Sequence, residues 1–237
     1  MTTTADLAQP LAGAQRSATS PVDPAPYARL DRAGAYAVHL AVINALSERI
    51  GMLKTAVHPD GVGAAAAIFA SRVGHAPSFK LPSATVVGLE VEVGAVLSRD
   101  VRSSADIPSA IDHYFLGVEI CGTRVTDRAK LGPVGGLADA MSAYGYCIGQ
   151  RLPSDVIEGL TVRLELAGKE IYAAPAKHAF GNVLASLKAY ADAQQPTLPL
   201  RAGTTITMGS MCGLVPTSGP GHVVARLGDE TLSFDLT

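Results

Sequence analysis

The chain opens without an apolar period. Residues 1–26 are rich in Thr, Ala, Ser and Pro, and this stretch is expected to be a mobile tail or an extended arm. A helical period begins at "DRAGAYAVHLAVINALSERIG". There Tyr36, Leu40, Ile43, Ala45 and Leu46 recur at spacings of three and four, and Gly51 suits a C-cap. "GVGAAAAIFASRVG" predicts a second helix whose small residues let it pack close to a neighbour. Strands then dominate, over 85–97, 115–125 and 160–172, where Val, Ile, Tyr and Thr are abundant. "IPSAIDHYFLG" reads as a short helix between the first two. "FGNVLASLKAYADAQQ" reads as a longer helix that Pro196 stops. The end, "GTTITMGSMCGLVP" and then "HVVARLGDETLSFDL", predicts two or three strands, the last two a hairpin across Gly228-Asp229. Helices cluster early and strands late. That order points to an α+β fold with a mixed or mostly antiparallel sheet, and away from a doubly wound one.

Composition narrows the classes. With 237 residues, 48% hydrophobic and only 17% charged, the chain suits a compact enzyme or an oligomer subunit. A net charge of -2, with no Lys or Arg block, excludes a nucleic-acid footprint. Polar residues break every apolar run before the roughly 18–20 residues that a membrane span needs. The start lacks a basic segment followed by an apolar core, so a cytosolic protein is expected. Cys121, Cys147 and Cys212 read as reduced, buried thiols, not as a disulfide framework or a zinc site.

The candidate chemistry lies in "VVGLEVEVGAVLSRD". Strict alternation through Leu89-Glu90-Val91-Glu92-Val93 puts Glu90 and Glu92 on one side of a strand. Spacing alone allows a bland reading, two carboxylates facing water. A third acid shifts the balance: Glu119 stands alone in the apolar run "HYFLGVEICGTRV", where an unpaired buried charge is costly. Three carboxylates brought together repel one another unless a cation sits among them, and hard oxygen ligands suit Mg²⁺ or Mn²⁺. Spacing does not show that Glu119 meets the other two.

Four segments carry a resemblance. "GLEVEVGAVL", "IDHYFLGVEICGTRV", "GLADAMSAYGYCIG" and "LRAGTTITMGSMCGLVP" resemble, in order and rough spacing, motifs of the 2-keto-4-pentenoate hydratase and 4-oxalocrotonate decarboxylase group of the fumarylacetoacetate hydrolase superfamily. The likeness covers about 85–237. It implies that Glu90, Glu92 and Glu119 bind Mg²⁺ or Mn²⁺. It implies a fold of N-terminal helices followed by a mixed, mostly antiparallel β-roll. The tail (1–26) would precede one domain (27–237), helical over 27–80 and β-rich over 81–237. The implied activity is addition of water to a small 2-hydroxy-2,4-dienoate. Decarboxylation, acylpyruvate-type C–C hydrolysis and a non-catalytic partner subunit are the alternatives. A homo-oligomer, or a complex with a homologous decarboxylase, is the implied assembly.

The departures fall on proton transfer. In "ERIGMLKTAV", Arg49 occupies the position of the family's Lys and Lys54 that of its Ser. Arginine is a poor general base because it does not release its proton near neutrality. Lys54 is therefore one catalytic candidate, with Asp139 and His178. Ser210, Gly209 and Arg124 are candidates for binding the substrate. Gly122 stands where the family has an Asp. His58 and His113 read as surface or hydrogen-bonding residues.

Overall fold

In the computed structural model, which describes residues 2–217 and 219–237, the first surprise comes before the predicted helix. Thr3 and Asp6 form a capping box, and α1 runs over Thr4–Ser17 to a left-handed Ala18. Its Ala8, Leu11, Ala12, Ala14 and Gln15 are buried against α2 (Arg32–Leu46). The segment beyond α1 is pinned as well. The Val22 N–H donates to the Arg124 carbonyl, and Ser20 Oγ donates to the Thr123 carbonyl. In place of the expected mobile tail or extended arm there is a packed helix and a pinned segment, apart from Met1, which lies outside the described residues. Sequence periodicity missed the helix because its buried face is built mainly from alanine, which barely registers as an apolar stripe.

α2 ends at Leu46, earlier than Gly51, with Ser47 as its left-handed cap. The chain then enters β1 (Ile50–Val57) and β2 (Gly63–Phe69). The second expected helix is therefore a strand. Every residue of β2 is buried, since it is covered on both faces, and alanines are the side chains thin enough to fit. Its outer edge is not left open. Tyr36 Oη accepts from the Ala65 N–H and His39 Nε2 from the Ala67 N–H, so α2 supplies partners that a further strand would otherwise provide.

The remaining strands are β3 (Val73–His75), β4 (Lys80–Leu81), β5 (Val86–Leu97), β6 (Ile111–Gly122), β7 (Ala143–Leu152), β8 (Thr161–Leu166), β9 (Lys169–Pro175), β10 (Thr205–Ser210), β11 (Val215–Pro216), β12 (Gly221–Leu227) and β13 (Glu230–Leu236). The short helices are α3 (Ile107–Ala110), α4 (Gly132–Ala138) and α5 (Ala185–Ala191). One sheet has the order β2-β1-β10-β5-β6-β7-β3, with β11 on β5, and the other β4-β13-β12-β8-β9. Most neighbours are antiparallel; β1 with β10, β3 with β7 and β4 with β13 are parallel. The predicted terminal hairpin is β12–β13. The fold is the expected α+β roll. Its larger sheet curls until β2 packs against β7, so β1 faces β6 across an interior. Met52, Ile68, Phe115, Ala143 and Tyr146 fill part of that interior. No helix of the described residues is long and apolar enough to cross a membrane.

Because Leu11 is almost wholly buried, Leu11→Ala is expected to cost about 2–5 kcal/mol in urea denaturation. Gln9→Ala, on the exposed side of the same helix, should stay within about 0.5 kcal/mol. Equal midpoints for the two variants would mean that α1 adds no packing stability.

Candidate metal centre

Strand register puts the acids in place. Glu90 on β5 lies directly opposite Glu119 on β6, and Glu119 lies opposite Tyr146 on β7. Glu92, two residues along β5 on the same face, pairs with Gly117. A Cβ at Gly117 would come within 2.2 Å of the Tyr146 hydroxyl, so only glycine leaves room for that ring beside Glu92. The curl of the sheet then delivers Lys54 from β1. Its Nζ donates to Glu119 Oε1 at 2.6 Å and to the Met141 carbonyl at 3.2 Å, and lies 4.0 Å from Glu90 Oε2.

The environment is dry. Glu92 and Glu119 are wholly buried, whereas Glu90 and Lys54 keep side-chain exposures of 18% and 13%. Burial pushes the Glu92 carboxyl well above the ordinary 4.5, and the charges of Glu119 and Glu90 push it further. Burial also raises Glu119, outweighing the attraction of Lys54. For Lys54 burial works the other way, but Glu119, Cys121, Glu90 and Glu92 together overcome it and hold the amine as an ammonium.

Glu90, Glu119 and Cys121 offer donor atoms within 4.8 Å of one another. Burial holds the Cys121 thiol protonated, and its Sγ donates to Glu119 Oε1 at 3.6 Å, so it acts as a hydrogen-bond donor. The carboxylates fit a divalent cation. Both oxygens of Glu92 and Oε2 of Glu119 are buried without a partner. Once ionised around a bound cation, the three carboxylates against one ammonium would carry two net negative charges, the charge of one divalent ion. Glu90 and Glu119 would hold such an ion, with Glu92 beside them.

Arg124 and Asp139 face each other and not the acids. Arg124 Nε donates to Asp139 Oδ1, while Thr123 Oγ1 and the Arg124 N–H donate to Oδ2. The two Nη groups of Arg124 donate to the carbonyls of Asp139 and Ala143. Those carbonyls bracket Ala140, Met141 and Ser142, three successive non-glycine residues at φ 52°, 51° and 65°. Arg124 therefore clamps both ends of the left-handed turn that aims the Met141 carbonyl at Lys54.

Ser210, Gly209 and His178 form a third group. Ser210 is the register partner of Glu92, but its Oγ donates to the Gly213 carbonyl and accepts from the Cys212 N–H. Gly209 sits at φ +117°, where a Cβ would meet the Phe180 ring at 2.8 Å. His178 is buried and neutral, with Nδ1 accepting from the Phe180 N–H. Arg49, at the position of the family's Lys, points into solvent. His113 pairs with Asp112 at the surface, and His58 is buried. Sequence reasoning missed the Met141 carbonyl, Cys121 and Tyr146. The period of two along β6, with Glu119 and Cys121 two apart, carried a hint of Cys121 alone.

The family described as fumarylacetoacetate (FAA) hydrolase C-terminal matches residues 36–234. Among solved structures, 4-oxalocrotonate decarboxylase from Pseudomonas putida G7 complexed with magnesium and adipate is similar, with a TM-score of 0.82 at 18% identity over 99% of this chain and 97% of that one. Its complex with calcium and acetate gives 0.79 at 18% identity over the same shares, 99% and 97%. A 2-hydroxyhepta-2,4-diene-1,7-dioate isomerase from Mycobacterium marinum gives 0.55 at 17% identity over 79% of this chain and 75% of its own. No curated protein sequence matches the chain significantly.

Two outcomes follow from this geometry. Arg124→Ala leaves Asp139 buried without its charge partner and should cost about 3–5 kcal/mol of stability. Denaturation of the variant beside Arg124→Lys, which keeps the charge, measures it; a loss under about 1 kcal/mol would contradict the clamp. The second outcome concerns pH. Carboxyls raised above 4.5 bind more protons folded than unfolded, so their contribution to stability falls as pH climbs from 4.5 toward neutrality. The raised Lys54 contributes evenly across that window, because its amine stays charged throughout. His39, His58 and His178, lowered by burial, work in the opposite direction, so the acids are isolated by comparison with Glu92→Gln, whose amide does not titrate. Between about pH 5.5 and 7.5 in EDTA the parent should lose stability relative to that variant, and Mn²⁺ should restore it at the higher value. Equal pH dependence of the two chains would contradict the burial of these acids.

Proposed function

The chain belongs to the fumarylacetoacetate hydrolase C-terminal family, and from that premise we propose that it is a metal-dependent lyase acting on a small 2-oxo acid or its dienol. The leading reaction is addition of water to a 2-hydroxy-2,4-dienoate, giving a 4-hydroxy-2-oxo acid. The observation that supports it best is the dry cluster of Glu90, Glu92 and Glu119, with unpartnered carboxylate oxygens beside a fixed ammonium. Glu90 and Glu119 would hold Mg²⁺ or Mn²⁺, with Glu92 completing the carboxylate set from the same face of β5. When bound, that cation supplies a Lewis acid for the carboxylate and 2-oxo oxygens of a substrate.

The other roles fall to this chain's own groups. Lys54 Nζ is the proton donor nearest the cluster's opening. It hands a proton to the terminal carbon of the dienol while the enol hydroxyl gives up its own proton, which returns to the amine, so that the dienol becomes a 2-oxo-3-enoate. Water then adds across C3 and C4, its hydroxyl to C4 and its remaining proton to C3. Glu119 Oε1, which already accepts from Nζ, keeps the amine oriented between turnovers. The buried walls of Tyr146 and Phe115 keep bulk water off the cluster. In this reading Asp139 and Arg124 hold the turn, and Ser210, Gly209 and His178 shape the wall behind Glu92. A homo-oligomer, alone or with a homologous decarboxylase, remains the proposed assembly.

Decarboxylation of a vinylogous 2-oxo acid is the second reading. It is favoured by similarity along nearly the whole of both chains to a 4-oxalocrotonate decarboxylase. It uses the same cluster and the same proton donor but needs no water.

The test follows the dienol's ultraviolet absorbance with Mg²⁺ or Mn²⁺ and with EDTA, alongside carbon dioxide release. Hydration predicts metal-stimulated loss of absorbance without carbon dioxide. Lys54→Ala should lower kcat by about 10²–10⁴ and leave KM much less changed. If metal-loaded protein turns over neither dienoates nor vinylogous oxo acids, the lyase reading fails and a non-catalytic partner subunit takes its place.

A further inference from the structure

The acidic cluster carries its own cation. Among the described residues, Lys54 is the one basic side chain within 4.0 Å of Glu90 or Glu119. It is not a mobile surface lysine. Its Nζ is fixed at both ends, by Glu119 Oε1 at 2.6 Å and by the Met141 carbonyl at 3.2 Å. That carbonyl is itself fixed, since Arg124 bonds to the carbonyls on either side of the left-handed turn. A cation held this firmly, beside carboxylates with buried and unpartnered oxygens, contributes a constant charge to whatever ion enters.

We infer that Lys54 is the residue that tunes the affinity and the charge preference of the metal site: its fixed ammonium offsets one of the three negative charges that the carboxylates carry when they hold an ion, and so penalises a trivalent ion more than a divalent one. The inference rests on the reading of Glu90, Glu92 and Glu119 as a metal site. An ion bound to Glu119 Oε1 at about 2.1 Å lies no more than about 4.7 Å from Nζ, because that oxygen is 2.6 Å from it. Like charges that close, shielded from water, repel in proportion to the charge on the ion. Removing the ammonium should therefore strengthen binding of every cation, and by more for a trivalent ion than for a divalent one. A lysine that served only to brace the fold would give no such ordering.

The experiment compares the parent chain with Lys54→Met and Lys54→Arg, using calorimetry with Mn²⁺ and luminescence titration with Tb³⁺. Lys54→Met should bind Mn²⁺ at least about tenfold more tightly. The gain for Tb³⁺ should then be about thirtyfold or more, because the logarithm of the gain scales with ion charge. Lys54→Arg, which keeps the charge, should stay within about threefold of the parent. If Lys54→Met folds only when Mn²⁺ is present, that too supports the inference, since the ion then replaces the missing charge. If it folds with neither, Lys54 is a structural anchor and the inference is overturned. Unchanged or weaker Mn²⁺ binding in a folded Lys54→Met overturns it as well, as does an equal gain for both ions. Absence of Mn²⁺ binding in the parent and in both variants overturns the metal site itself. Equal affinities in all three chains leave the metal site standing and remove only the role of Lys54.

Discussion

Holding three carboxylates in a dry interior is the constraint around which the rest of this molecule is organised. Charged groups leave water only at a large cost, and like charges side by side add to it. The structure offsets the cost in two ways. It brings in one ammonium, Lys54, from a strand 65 residues away in sequence from Glu119. It also leaves Glu90 and Lys54 partly open, so the cluster is not sealed. Neither measure would balance three ionised carboxylates, and burial instead raises Glu92 and Glu119 so that they hold protons more readily. A fold that was selected only for stability would place apolar residues at such positions. Placing three acids together at this cost fits a site that a divalent cation completes.

The curled sheet is what makes the cluster geometrically possible. A flat sheet would leave β1 separated from β6 by two intervening strands, β10 and β5. Curling requires small residues where backbones and rings approach, and the chain supplies them in the alanines of β2 and in Gly117 under the Tyr146 ring. The curl also leaves β2 with an edge that would invite another chain. α2 covers it with two specific acceptors, Tyr36 and His39, and burial keeps His39 neutral, with its pKa lowered to about 4. The neutral ring is required, because only an unprotonated Nε2 accepts from the Ala67 N–H. The helix that looked like a simple amphipathic layer is thus also part of the sheet's hydrogen bonding.

These features explain what could be read from the sequence. The alternation around Glu90 and Glu92 and the isolation of Glu119 were legible, because a period of two in a strand fixes which side chains share a face. The roll, the terminal hairpin and the family followed from segments long enough to carry a pattern. Three things were not legible. The helix at residues 4–17 hides its buried face in alanines, and β2 is so poor in branched residues that it reads as helix. The reach of Lys54 depends on the curl of the whole sheet, which no local pattern records. The pairing of Arg124 with Asp139 joins residues that the sequence offered as two separate parts of a site, a substrate ligand and a catalytic acid.

That pairing shows how the polar interior is divided. Three consecutive non-glycine residues in the left-handed region cost of order 1–3 kcal/mol each unless the surroundings over-determine them. Arg124 does so by gripping the carbonyls at both ends of the turn while Asp139 neutralises its charge. A less strained path would connect α4 to β7 equally well as a link. What the strained path achieves is the direction of one carbonyl, that of Met141, onto Lys54 Nζ. Without that carbonyl the ammonium would keep one hydrogen bond, to Glu119, and the looser attraction of Glu90, which together do not fix the direction of a long, flexible side chain. The buried ion pair and the strained turn are therefore two parts of one device, and its product is the fixed position of a single positive charge beside the carboxylates.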